Sequence, residues 1–204
     1  MGGTGEYSPS RSGMNEKSKN GVHKQVFHWD LRTLRLPKLV EADPRAQELL
    51  RILTAHARLL WPEGNIHVPM VAFSPALEEA LRAAHRAGQL VRSLEGAERR
   101  LAAEDRGLSL VDQQSGVLRG ARVSRLLVLA DDGTERFYRQ VERLLRQQGP
   151  RILALRLDVK AETLGQMLFG PGRRALLLLL DHKEAVSAVL LALVVNKDER
   201  QKTI

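Results

Sequence analysis

Two aspartates close an apolar run in the stretch RLLVLADDGTERF, residues 125–137. Paired carboxylates at the end of a strand can hold a divalent cation or accept a phosphoryl group. A third acid, Asp181, closes a second apolar run, ALLLLLD, and is followed by His182. An imidazole beside an acid can move a proton. Asp131, Asp132, Asp181 and His182 are therefore the residues whose types and placement come nearest to chemistry.

Each of them also has a purely structural use. A strand that feeds a helix must turn within a few residues, and Asp, Gly and Thr suit that turn. Thr134 can cap the following helix, Gly133 can take a positive φ, and acids ahead of a helix favour its positive end. A receiver-like phospho-acceptor domain needs two further strand–helix units, one of them supplying a lysine near the phosphate. One helical pattern and the segment NKDERQKTI follow Asp181, so that reading ranks below the others. No GxSxG, HExxH or Walker loop occurs. There is no cysteine, and the six histidines are scattered without a ligand-like pair. The expectation is a protein that is not an enzyme, with no catalytic residues, no metal and no cofactor.

The elements that must position these residues follow from periodicity and punctuation. Residues 1–25 are rich in Gly, Ser, Asn and Lys and read as a disordered basic arm. Asp43-Pro44 reads as the start of a helix running to about Leu60. NIHV, residues 65–68, is a short strand. Ser74-Pro75 opens a second helix that ends near Gly88. QLVRSLEGAERRLAAEDRG is mostly helix former, interrupted by Gly96, and a domain boundary is placed near residue 100. Beyond it the order is strand (RLLVLA), helix (TERFYRQVERLLRQQG), strand (RILALRL), helix (KAETLGQMLFG), strand (RALLLLLD), helix (KEAVSAVLLALVV). Phe137, Val141, Leu144 and Leu145 face inward and Gly149 stops that helix. Such an alternation implies an α/β fold, an α/β/α sandwich with a largely buried sheet.

The formal charge is +8, carried by 32 Lys and Arg against 24 Asp and Glu. An excess of arginine attracts polyanions, nucleic acid first. Arg136, Arg139, Arg143 and Arg146 recur at intervals of three, four and three, so they share one helix face. Arginine pairs bidentately with phosphate. The ordinary alternative is a solvated face whose arginines pair with Glu135 and Glu142. RAAHRAGQLVRS offers Arg82, Arg86 and Arg92 around His85. GPGRR sets Arg173 and Arg174 beside a turn whose backbone N–H groups can form a small anion nest. Only 4% of the residues are aromatic, so recognition of single strands by stacking is not expected. Shape and phosphate contacts to a folded RNA fit the composition better.

The stretches LLVLADDGTERFYRQVERLL and ETLGQMLFG, followed by an apolar strand, resemble the ribosomal protein L-seven-Ae family of RNA-binding domains. Ala130, Asp132 and Gly133 stand where that family has an A-x-D-G turn, and Glu162, Leu164 and Gly165 where it has an E-L-G helix. The likeness is closest to bacterial members fused behind a YlxR-type domain. WPEGNIHV, with Pro62, Gly64 and Val68, resembles the loop of such a domain, and SPALEEALRAAHRAGQLVRSL its Ala- and Arg-rich helix. The resemblance implies a YlxR-like domain over residues 26–100, an L-seven-Ae-like α/β/α domain over 101–195, and a polar tail over 196–204. It also implies RNA binding through the loop LVDQQSGVLRGARV, with Gln113, Gln114, Arg119 and Arg122, and through the E-L-G helix, with Thr163 and Gly165.

The sequence-based expectation is thus a cytoplasmic, non-catalytic RNA-binding protein for structured RNA, ribosomal or of the ribonuclease P type. The RNA-binding residues would be those six with Arg82, Arg86, Arg136, Arg139, Arg143 and Arg146. A protein-interaction module with a protein partner, which keeps the fold without the RNA site, is the alternative. No membrane partner is expected, because the apolar runs are short and split by DHKE.

Overall fold

The computed structural model describes residues 31–115 and 122–194, the side chains of Arg32 and of residues 108–115 excepted. The basic arm and the polar tail expected from the sequence lie outside these residues. After a 3-10 turn, Leu31–Thr33, come α1 (Lys38–Glu41) and α2 (Ala46–Ala55), then β1 (Ala57–Leu59) and β2 (His67–Val71). They are followed by α3 (Pro75–Arg86), β3 (Leu90–Arg92) and α4 (Leu94–Ser115). The remainder alternates as β4 (Arg125–Leu129), α5 (Glu135–Gln148), β5 (Ile152–Leu157), α6 (Ala161–Phe169), β6 (Leu177–Leu180) and α7 (Lys183–Ala192).

Six strands form one mixed sheet in the order β1-β2-β5-β4-β6-β3. β2, β5 and β4 are parallel, and β1 turns back against β2. β6 runs antiparallel to β4, and β3 antiparallel to β6. Strand alternation divides the core. Leu126, Val128 and Ala130, with Leu153, Leu155, Leu157, Leu178 and Leu180, pack against α2, α3, α6 and α7 on one face. Leu127, Leu129, Ile152, Ala154, Leu177 and Leu179 pack against α4 and α5 on the other. Burying each leucine is worth about 1.5–3 kcal/mol. Both faces are covered, so the central strands read as continuous apolar runs. The chain is α/β, as its alternation implies.

Local chemistry sets the element ends. Ser74 Oγ accepts the Leu77 backbone N–H at 3.2 Å, and Pro75 occupies the first turn of α3. Thr134 Oγ1 accepts the Phe137 N–H at 3.3 Å and so caps α5, as its sequence suggests. Phe137, Val141, Leu144 and Leu145 are buried, and α5 ends at Gly149 with φ 63°.

Several expectations give way. The helix read through Leu60 stops at Ala55, and Ala57–Leu59 is a strand because its backbone pairs with β2. Asp43 does not cap α2 directly. It accepts the Arg45 N–H and guanidinium, and that guanidinium holds its carboxyl down at about 2. QLVRS is not helical, since Leu90–Arg92 pairs with β6. Gly96 lies inside α4, where a Cβ would come within 2.9 Å of Val91 Cγ1. Residues 110–115, expected in a loop, continue α4. The boundary near residue 100 falls within α4, and strands from both sides of it share the one sheet.

Candidate nucleic-acid interface

The antiparallel pairing of β4 and β6 decides the fate of the three aspartates. Leu129 lies opposite Leu177 and Leu126 opposite Leu180. Asp131 and Asp132 therefore leave the sheet at one end and Asp181 at the other. They cannot share a cation or a phosphoryl group. Asp181 is buried, with Arg100 Nε at 2.8 Å and His182 Nδ1 at 2.8 Å. Arg100 also approaches Glu104, which binds Arg125 at the start of β4. Asp181 is thus one member of an ion network that ties α4 to the sheet. Among the described residues no three His, Asp or Glu side chains are grouped to hold a metal.

At the opposite end, Asp132 is a hub between two loops. Its Oδ1 accepts the Ala161 N–H at 2.7 Å, at the first residue of α6. Its Oδ2 lies 3.4 Å from Arg174 Nη2. The carboxylate therefore serves the positive end of α6 rather than that of α5. Gly133 keeps an ordinary negative φ. What it needs is space, because a Cβ would lie 2.6 Å from Phe137 Cδ1. Tyr138 Oη donates to Ala130 O at 2.7 Å and accepts the Gly133 N–H at 3.1 Å, which locks the turn from beneath. Burial pushes the Tyr138 phenol up, more than the Gly133 hydrogen bond and the Arg156 charge lower it.

Arg156 is the single polar residue of β5. Its guanidinium lies over the Tyr138 ring, 4.7 Å from the centroid, and donates to Asp131 O at 2.9 Å. Its Nε is buried without a hydrogen-bond partner. Reading the sequence did not single out Arg156. A lone arginine in an otherwise apolar strand was the signal available. Trp61 was not singled out either, and Glu142 was placed on the wrong side of its helix. Glu142, expected on the solvated side of α5, is buried and accepts from Trp61 Nε1 at 2.5 Å, Arg146 Nη2 at 2.6 Å and Asn65 N at 3.3 Å. Burial raises its pKa, but these donors prevail and hold it below the usual glutamate value. The WPEGN turn is thereby bound to α5. A Cβ on Gly64 would sit 2.7 Å from both Glu142 Oε2 and Trp61 Nε1.

The expected RNA-binding residues do not all meet. Arg136, Arg139, Arg143 and Arg146 are exposed along α5. Arg139 pairs with Glu135 and lies 5.0 Å above the Trp61 ring. Arg143 is 3.7 Å from Glu98, and Arg146 pairs with Glu142. Arg136 has no acidic partner among the described residues. Arg82 and Arg86 pair with Glu78 and Glu79 on α3, across the sheet from α5. These two cannot join the α5 stripe on one surface. Arg122 lies at the other end of β4 and pairs with Glu41 while donating to Leu36 O at 2.6 Å. The hydrogen bond from the Arg122 guanidinium to the Glu41 carboxylate keeps Glu41 below its usual pKa. Gln113 and Gln114 lie on α4 with side chains outside the described set, and Arg119 is outside the described residues.

Thr163 is exposed on α6, whereas Gly165 is buried. A Cβ on Gly165 would overlap the backbone of Arg173 and Arg174. Gly165 is therefore a packing position that draws the GPGRR turn onto α6. Ala175 N also donates to Ala161 O at 2.8 Å, and Ala130 N to Leu176 O at 3.0 Å. The turn is consequently held beside Asp132 and the first residues of α6. Arg136, Lys160, Arg173 and Arg174, all exposed, gather at this end of the sheet. Asp131, Asp132, Glu135, Asp158 and Glu162 also lie there; Asp132 and Asp158 each have an oxygen committed to a backbone N–H, of Ala161 and of Phe73, while Asp132 also pairs with Arg174 and Glu135 with Arg139.

Comparison with known proteins found no family model that matches the chain and no similar curated protein. No helix among the described residues is long and apolar enough to cross a membrane.

Proposed function

We propose that this protein binds structured RNA without catalysis, using the exposed face of α5 and the GPGRR turn at the end of the sheet where α5 begins. One observation carries this reading. Arg136, Arg139 and Arg143 form an exposed stripe on α5, exposed Lys160, Arg173 and Arg174 lie at the end of the sheet where α5 begins, and two of the carboxylates there, Asp132 and Asp158, each serve a backbone N–H group. The exposed pairs of Arg139 and Arg143 are worth little in water and can be exchanged for phosphate contacts. The resemblance to L-seven-Ae and YlxR domains adds ribosomal or ribonuclease P RNA as the class of target. It also favours the cytoplasm as the place of action.

Phosphate recognition predicts steep salt dependence. Four to six contacts correspond to a log–log slope of about −3 to −5. A mobility-shift titration of the full chain against total cellular RNA measures it. R136E/R173E should weaken binding at least tenfold at low salt, while R82E/R86E, on the other face of the sheet, should leave it unchanged. Equal loss in both pairs, or no shift at low salt, overturns the proposed surface. The second reading, a protein-interaction module, is favoured by the acidic partners of Arg82, Arg86, Arg139 and Arg146. Absence of any RNA shift would leave it as the better account.

A further inference from the structure

The far end of the sheet holds a cavity of about 460 Å³ between α1, the start of β4 and the first turn of α7. Its volume lies within the range of small-molecule sites. Pro37, Leu39 and Val123 supply apolar wall, and Leu39 is 64% exposed although it is a large aliphatic residue. Five basic residues line the same space, Lys38, Arg122, Arg125, Arg151 and Lys183, with one acid, Glu184; Glu41, Glu104 and Asp105 pair with the three arginines.

The five cations divide by role. Arg122 is fixed by Glu41, Arg125 by Glu104, and Arg151 by Asp105 and Glu104. These arginines are pre-positioned, and each guanidinium has more donors than its partners use. Lys38 and Lys183 have no acidic partner among the described residues and are exposed. Lys183 begins α7, whose first turn also carries Glu184 and whose N-cap residue His182 makes no side-chain capping bond. An apolar wall joined to two lysines without acidic partners suits a molecule with one apolar and one anionic end.

We infer that this cavity is a binding site for a small amphiphilic anion, a carboxylate or phosphate monoester head on an aliphatic or aromatic body. The head meets Lys38, Lys183 and the fixed arginines, and the body covers Leu39, Pro37 and Val123. The site lies at the end of the sheet opposite Asp132 and is independent of the proposed RNA surface.

Calorimetric titration of the full chain with octanoate, octyl phosphate, 1-octanol and octylamine tests it. Saturable one-to-one binding of at least one anion, with 1-octanol and octylamine at least tenfold weaker, is expected. K38E/K183E should weaken the anion at least tenfold, and L39D should do the same by removing the apolar contact. Both variants change exposed side chains, and circular dichroism checks that they fold. Three results overturn the proposal: no saturable binding of either anion, equal binding of the neutral and cationic analogues, or binding unaffected by both variants. R136E/R173E should bind the anion normally, which separates this site from the RNA reading.

Discussion

Trp61 Nε1 donates to Glu142 Oε2 at 2.5 Å and joins the β1–β2 turn to the middle of α5 across 81 sequence positions. Arg146 Nη2 and Asn65 N converge on the other oxygen of the same carboxylate. Glu142 is thus an anchor set into the helix that carries the arginine stripe.

Glu142→Gln tests the anchor through pH. The carboxyl titrates below the ordinary 4.5, so its contribution is complete above that pH and is lost as pH falls through the lower, folded value. At neutral pH the substitution should cost about 1–2 kcal/mol, towards the lower figure because Arg146 is half solvated. Denaturant midpoints of wild type and variant should converge as pH drops below 4.5. A gap that stays constant into strong acid refutes the anchor's ionic part.

Tyr138→Phe removes the hydroxyl that bridges Ala130 O and Gly133 N. A buried carbonyl left without a donor costs about 1–3 kcal/mol, to be read from urea unfolding. In the wild type the phenol ionises above its ordinary value of 10.0, because burial opposes the charge. Its share of stability is therefore full below that pH and is lost as pH rises towards the folded value. Phenolate absorbance in the native protein and in denaturant should show the difference. Identical titrations in the two would contradict burial of the ring.

Asp132 is expected to behave as a cap, not as an acid. Asp132→Asn keeps an oxygen for the Ala161 N–H and should cost a few tenths of a kcal/mol, whereas Asp132→Ala should cost about 1 kcal/mol. Thermal melts distinguish the two. Exposure to a small phosphodonor with Mg²⁺ should leave Asp131, Asp132 and Asp181 unmodified by mass spectrometry. An acid-labile phosphoryl adduct on any of them would restore the receiver-like reading.

Gly165→Ala should destabilise by about 1–3 kcal/mol, because the new methyl must displace the backbone of Arg173 and Arg174. Hydrogen exchange should localise the loosening to α6 and the turn at 170–175. If the proposed RNA surface is right, this variant should also bind RNA more weakly than its residual stability explains, since Arg173 and Arg174 lose their fixed position.

The sequence revealed the β4-α5-β5-α6-β6-α7 order because each strand there is a full apolar run and each helix carries its own punctuation. Thr134, Gly149 and the inward set of α5 stand where periodicity placed them. The strands β1 and β3 were illegible. Each has three residues, no alternation, and neighbours that favour helix. Their conformation comes from pairing with β2 and β6, a tertiary cause that local composition does not carry. The same limit applied to the site. Spacing put four arginines on one face of α5, but only the sheet order shows that Arg82 and Arg86 lie behind it and that Asp181 lies at the opposite end. Glu142 was misread because charge predicts exposure unless partners distant in sequence bury it.

The contribution of β2 and β3 has a consequence for how the chain can be divided. The central ribbon β5-β4-β6 is bordered on both sides by strands made from the preceding half of the chain. A fragment beginning after residue 101 would expose the backbone donors and acceptors of β5 and β6 along two open borders. Such borders recruit other chains, so the fragment is expected to precipitate or to self-associate rather than to stand as a folded unit. Supplying residues 31–100 in trans should rescue it. The ordering of the sheet must also wait for contacts between distant parts of the chain, which makes its assembly slow relative to that of a helical bundle of equal size.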